Sequence, residues 1–301
     1  MLRSPIARLR PVLVAALVAP FVLALTGAAS PREPDVGRYV SLGDSYAAGP
    51  LIPPQTSLPL GCLRSDRNYP SVLAGTLGAA EHVDVSCSGA TTAELGHPQR
   101  TRLGTNPAQL DAVTARTDVV TLTIGGNDIG FAEIIRECAT RSPLKPGGAA
   151  CREHYTADGD QLAARIAAAA PDVAAALEAV ADRAPDATVA VVGYPAILPD
   201  QGPGCFPVVP LTAGDVAYLR DTEKGLNAML AREAKRAGAT FVDTYTPTIG
   251  HDMCTPPGTK WVEGLVPTAP AAPVHPNALG MTAMASAVAD ALAGEGVDPA
   301  A

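Results

Sequence analysis

Four short stretches hold the residues that could act on a covalent bond: Gly43-Asp44-Ser45-Tyr46, Ser88-Gly89-Ala90, Gly125-Gly126-Asn127-Asp128 and His275-Pro276-Asn277. Acyl transfer from an ester needs a nucleophilic oxygen, a base to take its proton, and donors aimed at the oxyanion that forms on the carbonyl. Ser45 offers the hydroxyl and His275 the imidazole. The amides of Ser45 and Gly89 and the side-chain NH₂ of Asn127 offer the donors, and a side chain at 89 would obstruct a substrate lying against the backbone. Each stretch alone has a plainer reading. Gly-Asp-Ser makes a capped turn, Gly89 a simple turn, Asn127 a cap or Asx-turn, and His275 an exposed histidine before a helix.

What would bring them together is a parallel sheet. Five runs read as buried strands, at 39 to 42, His82 to Ser86, Asp118 to Ile124, Thr188 to Val192 and Ala239 to Asp243, and helical segments alternate with them. Ser45, Gly89 and Asn127 then each follow a strand's carboxyl end, the edge where open α/β sheets bind ligands. Helices are expected at Leu211 to Ala237, with Thr212 as cap and Gly238 as stop, and at about Asn277 to Ala293, before Gly294. A third, Ala157 to Ala184, is Ala-rich, with Pro171 kinking or dividing it. Long Gly-, Pro- and Cys-rich connections are expected over 47 to 68, 138 to 156, 194 to 210 and 246 to 274. Leu51, Ile52, Leu58 and Leu60 in the first, and Phe206, Val208 and Val209 in the third, either line an acyl pocket or bury disulfides and cover the sheet edge.

Composition fixes destination and excludes partners. Residues 1 to 29 read as a secretory signal: Arg3, Arg8 and Arg10, an apolar run from Pro11 to Leu25, then Thr26-Gly27-Ala28-Ala29 for cleavage near Ala29. No basic stop-transfer flank follows, so no stable membrane insertion is expected after removal. Losing that segment, with three arginines and no acid, takes the formal net charge from −8 to −11. So acidic a chain is a poor partner for nucleic acid. The remainder, 30 to 301, reads as one domain, expected to be a secreted monomer. Six cysteines in an exported chain argue for disulfides and allow 15 pairings. Sequential pairing, Cys62 with Cys87, Cys138 with Cys151 and Cys205 with Cys254, closes three non-overlapping loops and is the expectation. Zinc is the competing reading, but no C-x-x-C occurs and the five histidines are scattered; no metal or cofactor is expected.

In the order GDSY, SGA, GGND and HPN, these blocks resemble the SGNH hydrolase superfamily, the GDSL esterases and lipases, and in particular its secreted actinobacterial branch. The resemblance implies a three-layer α/β/α sandwich, flavodoxin-like, around a five-stranded parallel sheet with long disulfide-bearing loops. It implies Ser45 as nucleophile, His275 as base, Gly89 and Asn127 with Ser45 as oxyanion donors, and it favours the sequential disulfides. Many relatives carry an aspartate three residues before the histidine; here that position is Ala272. Some members of the branch use a main-chain oxygen instead, so a Ser45-His275 dyad with the Ala272 carbonyl as orienter is expected. A distant carboxylate, Asp243, Asp252 or Glu263, remains open as a third member. Asp44 and Asp128 would suit a two-carboxylate glycosidase but are read as holding loop amides, since otherwise the histidine and asparagine lack roles. No G-x-S-x-G elbow of an α/β-hydrolase occurs. The expected activity is cleavage of carboxylic esters through an acyl-enzyme, on a small-molecule or acyl-lipid ester. Phospholipids and acetylated polysaccharides are the alternatives, with Trp261 a meagre sugar platform. A non-enzymatic exported binding protein is the reading from another class.

Overall fold

The computed structural model describes residues 1–2, 36–55 and 57–300. The signal-peptide reading falls almost entirely outside these residues. Among the described residues seven strands run β1 (Arg38–Gly43), β2 (Glu81–Asp84), β3 (Gln99–Thr101), β4 (Gly104–Asn106), β5 (Val119–Thr123), β6 (Thr188–Val192) and β7 (Thr240–Val242). Among them lie helices α1 (Ser45–Ala48), α2 (Tyr69–Leu77), α3 (Ala93–Gly96), α4 (Phe131–Arg141), α5 (Ala150–Thr156), α6 (Gln161–Arg183), α7 (Ala213–Arg236), α8 (Tyr245–Thr248) and α9 (Ala278–Gly294).

All five expected strands form, as one parallel sheet of order β2-β1-β5-β6-β7; β3 and β4 make a separate antiparallel hairpin. The strands read as apolar runs because both faces are covered. Tyr39, Val119, Ala190 and Val192 face a core completed by Leu73 of α2 and Met281, Met284 and Val288 of α9. Val40, Leu42, Val120, Leu122 and Val191 face the other, with Val173 and Leu177 of α6 and Leu226 and Leu230 of α7. This is the three-layer α/β/α sandwich. Because β1 sits between β2 and β5, the chain leaving these three strands emerges at one edge, side by side.

Three expectations change in detail. The segment at 138 to 156 is largely helical, formed by the end of α4 and by α5. α6 begins at Gln161 rather than Ala157, because the Asp160 carboxylate accepts the amide of Ala163 and caps it there. Pro171 does not divide α6. Both Pro171 and Ala167, whose carbonyl loses its partner, are exposed, so water satisfies the freed group. The disulfides are Cys62 with Cys87, Cys138 with Cys151 and Cys205 with Cys254, the sequential set. Among the described residues no helix is long and apolar enough to cross a membrane.

Candidate active site

Ser45 opens the single turn α1 directly after β1. Gly43 makes the sharp exit possible: its φ of 142° disfavours a side chain, and a Cβ there would lie 2.5 Å from the carbonyl oxygen of Thr123. The buried Gln109 amide grips both backbone groups of Gly43, accepting its N–H at 2.7 Å and donating to its C=O at 2.9 Å. Asp44 then caps α1 by accepting the amide of Tyr46 at 2.8 Å. Ser45 is thereby held half-buried on a backbone fixed from both sides.

His275 meets it from the other end of the chain. Its Nε2 lies 2.7 Å from Ser45 Oγ, and its Nδ1 lies 2.7 Å from the carbonyl oxygen of Pro273. A carbonyl only accepts, so Nδ1 carries the hydrogen and Nε2 presents its lone pair to the serine hydroxyl. The oxygen facing Nδ1 therefore belongs to Pro273, not to Ala272 as the resemblance implied. Val274 is the reason. It stands at φ 62°, rare for a β-branched residue, and this left-handed step folds the Pro273 carbonyl under the imidazole. The Ala272 carbonyl is instead 3.2 Å from the backbone amide of His275. Tyr46 holds the strained step: its hydroxyl donates to the Val274 carbonyl at 2.6 Å, and its ring lies 4.8 Å from that of His275. Burial pushes the imidazole pKa below the ordinary 6.5, with the Pro273 hydrogen bond opposing the shift.

The three carboxylates kept open as triad members are engaged elsewhere. Asp243 accepts the amides of Tyr245 and Thr246, Asp252 that of Cys254, and Glu263 the amide and hydroxyl of Thr268 together with Nδ2 of Asn277.

Gly89 and Asn127 come to the same edge. Asn127 Nδ2 donates to the carbonyl of Ala90 at 2.8 Å, which sets its amide beside the turn after β2. That turn is tied back by the Cys62-Cys87 disulfide and by Ser88 N–H donating to the Cys62 carbonyl. Gly89 has φ 84°, while a Cβ there would meet only Gln99 Nε2 at 3.6 Å. Glycine is favoured here by the left-handed backbone. Among the described residues no acceptor meets the backbone N–H of Ser45 or of Gly89. Asp128 accepts from the amide and hydroxyl of Thr92, pinning the β5-α4 turn to the chain beyond Gly89.

Further side chains brace the site. Tyr194, just past β6, donates its hydroxyl to Asp44 Oδ2 at 2.5 Å and accepts the Gly126 amide at 2.8 Å, linking the turns that hold Ser45 and Asn127. Its position at a strand's carboxyl end is the signal that could have found it. Burial pushes the Asp44 carboxyl up to about 7, against hydrogen bonds from Tyr194 and the Tyr46 amide. Asn277 caps α9 by accepting the amides of Leu279 and Gly280, while its NH₂ donates to the Lys260 carbonyl and Glu263. His251 stacks on Trp261, with ring centroids 3.6 Å apart.

Beside Asn127 lies a small apolar recess of about 40 Å³, walled by Ile129, Phe131, Ile134, Ile197, Leu219 and Leu226. None of the loop residues read either as lining an acyl pocket or as covering the disulfides and sheet edge lines it. Leu51, Leu58, Leu60, Phe206 and Val208 are exposed, and Ile52 and Val209 are buried in the two cores. The walls come instead from the β5-α4 turn, α4, the chain after β6, and α7.

The model of the GDSL-like lipase/acylhydrolase family matches residues 41–283. Lipase 2 of Streptomyces coelicolor is 45% identical over 258 residues, 84% of this chain and 85% of that protein. Two crystal structures share the fold: phospholipase A1 from Streptomyces albidoflavus, with TM-score 0.71 and 26% identity over 85% of this chain and 99% of that one, and an extracellular lipase from Streptomyces rimosus, with TM-score 0.69 and 28% identity over 85% and 100%. The chain belongs to the GDSL-like lipase/acylhydrolase family, a family of carboxylic ester hydrolases.

Proposed function

We propose that this chain is a secreted, monomeric serine hydrolase that cleaves acyl-lipid carboxylic esters through an acyl-enzyme, with a Ser45-His275 dyad oriented by the main-chain carbonyl of Pro273. The 2.7 Å contact from Nε2 to Ser45 Oγ, with Nδ1 held on that carbonyl, carries the reading. Nε2 takes the hydroxyl proton as Oγ bonds to the ester carbonyl carbon. The carbonyl electron pair moves onto oxygen, where the amides of Ser45 and Gly89 and the free hydrogen of Asn127 Nδ2 meet it. Collapse breaks the bond to the alcohol, which leaves with the proton from Nε2. Water repeats the sequence on the acyl-enzyme and releases the acid. Every step uses side chains and amides of the chain itself, without a cofactor.

Export after cleavage near Ala29 is supported by three disulfides and by the likeness to an extracellular lipase. Acyl lipids are favoured as substrate by the similarity to lipase 2. Phospholipid esters stand second, on the likeness to phospholipase A1. The test is labelling by a fluorophosphonate followed by rates on a triglyceride, a phosphatidylcholine and an acetylated sugar. Labelling on Ser45, with turnover of the triglyceride above the sugar, is expected; no adduct on the folded protein would leave the binding-protein reading. Asn127→Ala should lower kcat by roughly 10² to 10³ while Ser45 still takes the label.

A further inference from the structure

The Gly89 N–H, proposed above as an oxyanion donor, is one end of a peptide unit whose other end is the Ser88 carbonyl. The unit is planar, so whatever fixes that oxygen also fixes the direction of the N–H. The peptides on either side are held by their nitrogens: the Ser88 amide donates to the Cys62 carbonyl and the Ala90 amide to the Cys87 carbonyl, both at 3.0 Å. The peptide between them is held by its oxygen. Gln99 Nε2 donates to the Ser88 carbonyl at 2.9 Å, while the N–H at the opposite end meets no acceptor among the described residues. An anchor matters here because a glycine at φ 84° has no Cβ to oppose a swing of the plane, and a swing would carry the N–H away from the reacting carbonyl. A bond accepted by the peptide oxygen also polarises the unit and strengthens its N–H as a donor.

Gln99 is itself placed by the β3-β4 hairpin, which is separate from the main sheet. Gln99 pairs across the hairpin with Asn106, and both hand a side-chain amide to the same stretch of chain: Asn106 Nδ2 donates to the Val85 carbonyl at 3.0 Å, and Gln99 to Ser88. Asn106 is buried, and its Oδ1 accepts from Arg64, whose guanidinium also donates to the Ser86 carbonyl at 2.8 Å. The hairpin thus grips the chain between β2 and Gly89 from the side. Gln99 Oε1 is buried and meets no donor among the described residues. Filling space needs no amide, and burying its oxygen unmet is costly, so the nitrogen is the end that accounts for glutamine at this position.

We propose that Gln99 is a positioning residue for the oxyanion site: by holding the Ser88 carbonyl it aims the Gly89 N–H at the ester oxygen as that oxygen gains charge. This deepens the ester-hydrolase reading above and rests on it. Because the bond is felt when charge has developed, its loss lowers kcat and leaves KM nearly unchanged.

The test uses Gln99→Met, which keeps the length and removes the donor, and Gln99→Glu, which keeps the shape and sets a carboxylate against the carbonyl. Steady-state rates on one soluble ester are read beside inhibition by a trifluoromethyl ketone. In that adduct Ser45 Oγ bonds to the ketone carbon, the hydroxyl proton passes to His275, and the carbonyl electron pair becomes an oxyanion in the same place. Gln99→Met is expected to lower kcat about tenfold and to weaken the ketone by the same factor, with KM within about twofold of wild type. Gln99→Glu should fall at least as far. A packing role alone would lower Tm without weakening the ketone in step with kcat. A kcat within about twofold of wild type in Gln99→Met, or a fall in kcat with ketone inhibition unchanged, overturns the proposal. Should the methionine protein fail to fold, Gln99→Glu is judged by the same two ratios. Fluorophosphonate labelling of Ser45 separates the failures: a labelled, active wild type with an equally active Gln99→Met sinks only the positioning role, whereas no label and no turnover in wild type sinks the ester-hydrolase reading and this role with it.

Discussion

At the residue scale, an uncharged carbonyl in place of a triad carboxylate has a measurable consequence. It fixes the tautomer and the ring plane, but gives the imidazolium of the transition state a dipole rather than a full charge. Single replacements Asp243→Asn, Asp252→Asn and Glu263→Gln should each leave kcat within about tenfold of wild type, whereas removal of a true triad acid costs roughly 10⁴. Steady-state kinetics on one soluble ester decides it: a fall of the larger size in any variant means a carboxylate reaches Nδ1 during turnover. Asp44, next to the nucleophile, yields a pH prediction. Its folded pKa of about 7 lies above the ordinary 3.8, so between those values the native state binds more protons than the unfolded one. Stability linked to Asp44 is therefore full below the lower value and declines as pH rises through the upper one. Asp44→Asn should flatten that decline, seen as a smaller drop in Tm between pH 5 and pH 8 than in wild type. An identical drop in the variant would assign the slope to other groups.

At the element scale, α9 and the loop bearing His275 are joined by Asn277, which caps the helix with its oxygen and holds Lys260 O and Glu263 with its nitrogen. Asn277→Ala should cost about 3 kcal/mol, from a lost cap and two orphaned buried acceptors. In a domain of this size that lowers Tm by several degrees. Asn277→Asp separates the two roles: it keeps the cap but sets a carboxylate against Glu263, so thermal melting should show it no better than alanine. Recovery to near wild type would mean that the nitrogen's contacts contribute little. The α9 helix was legible because the Ala-rich run from about Asn277 up to Gly294 is a local signal. The five strands were legible because burial on both faces makes them continuous apolar runs. The turn that aims His275 was not, since valine at 274 is among the least expected residues for a left-handed step, and the family pattern pointed one residue too early, to Ala272. Tyr194 and Gln99 were silent for another reason: their partners at Asp44 and Ser88 lie far away in sequence or on another element, and only the assembled fold reveals them.

At the scale of the whole molecule, the three disulfides differ in what they hold. Cys138 and Cys151 are 13 positions apart, Cys62 and Cys87 25, and Cys205 and Cys254 49, so each constrains the unfolded chain by a similar amount, about 3 to 4 kcal/mol. Replacing either of the shorter pairs by two serines should therefore depress Tm comparably. Their effects on turnover should diverge. Cys62-Cys87 anchors the turn that presents the Gly89 amide, and the Ser88 amide leans on the Cys62 carbonyl. Cys138-Cys151 ties the far end of α4 to α5, away from the end of α4 that follows Asn127, and holds no turn that presents a donor. Measured well below both melting points, kcat should fall in the Cys62→Ser, Cys87→Ser protein with little change in KM, because a displaced donor is missed only when charge develops on the ester oxygen. The Cys138→Ser, Cys151→Ser protein should keep its kcat. Equal kcat in the two would show that the sheet edge holds Gly89 in position without its covalent tie, and that the oxyanion site is a property of the parallel sheet itself.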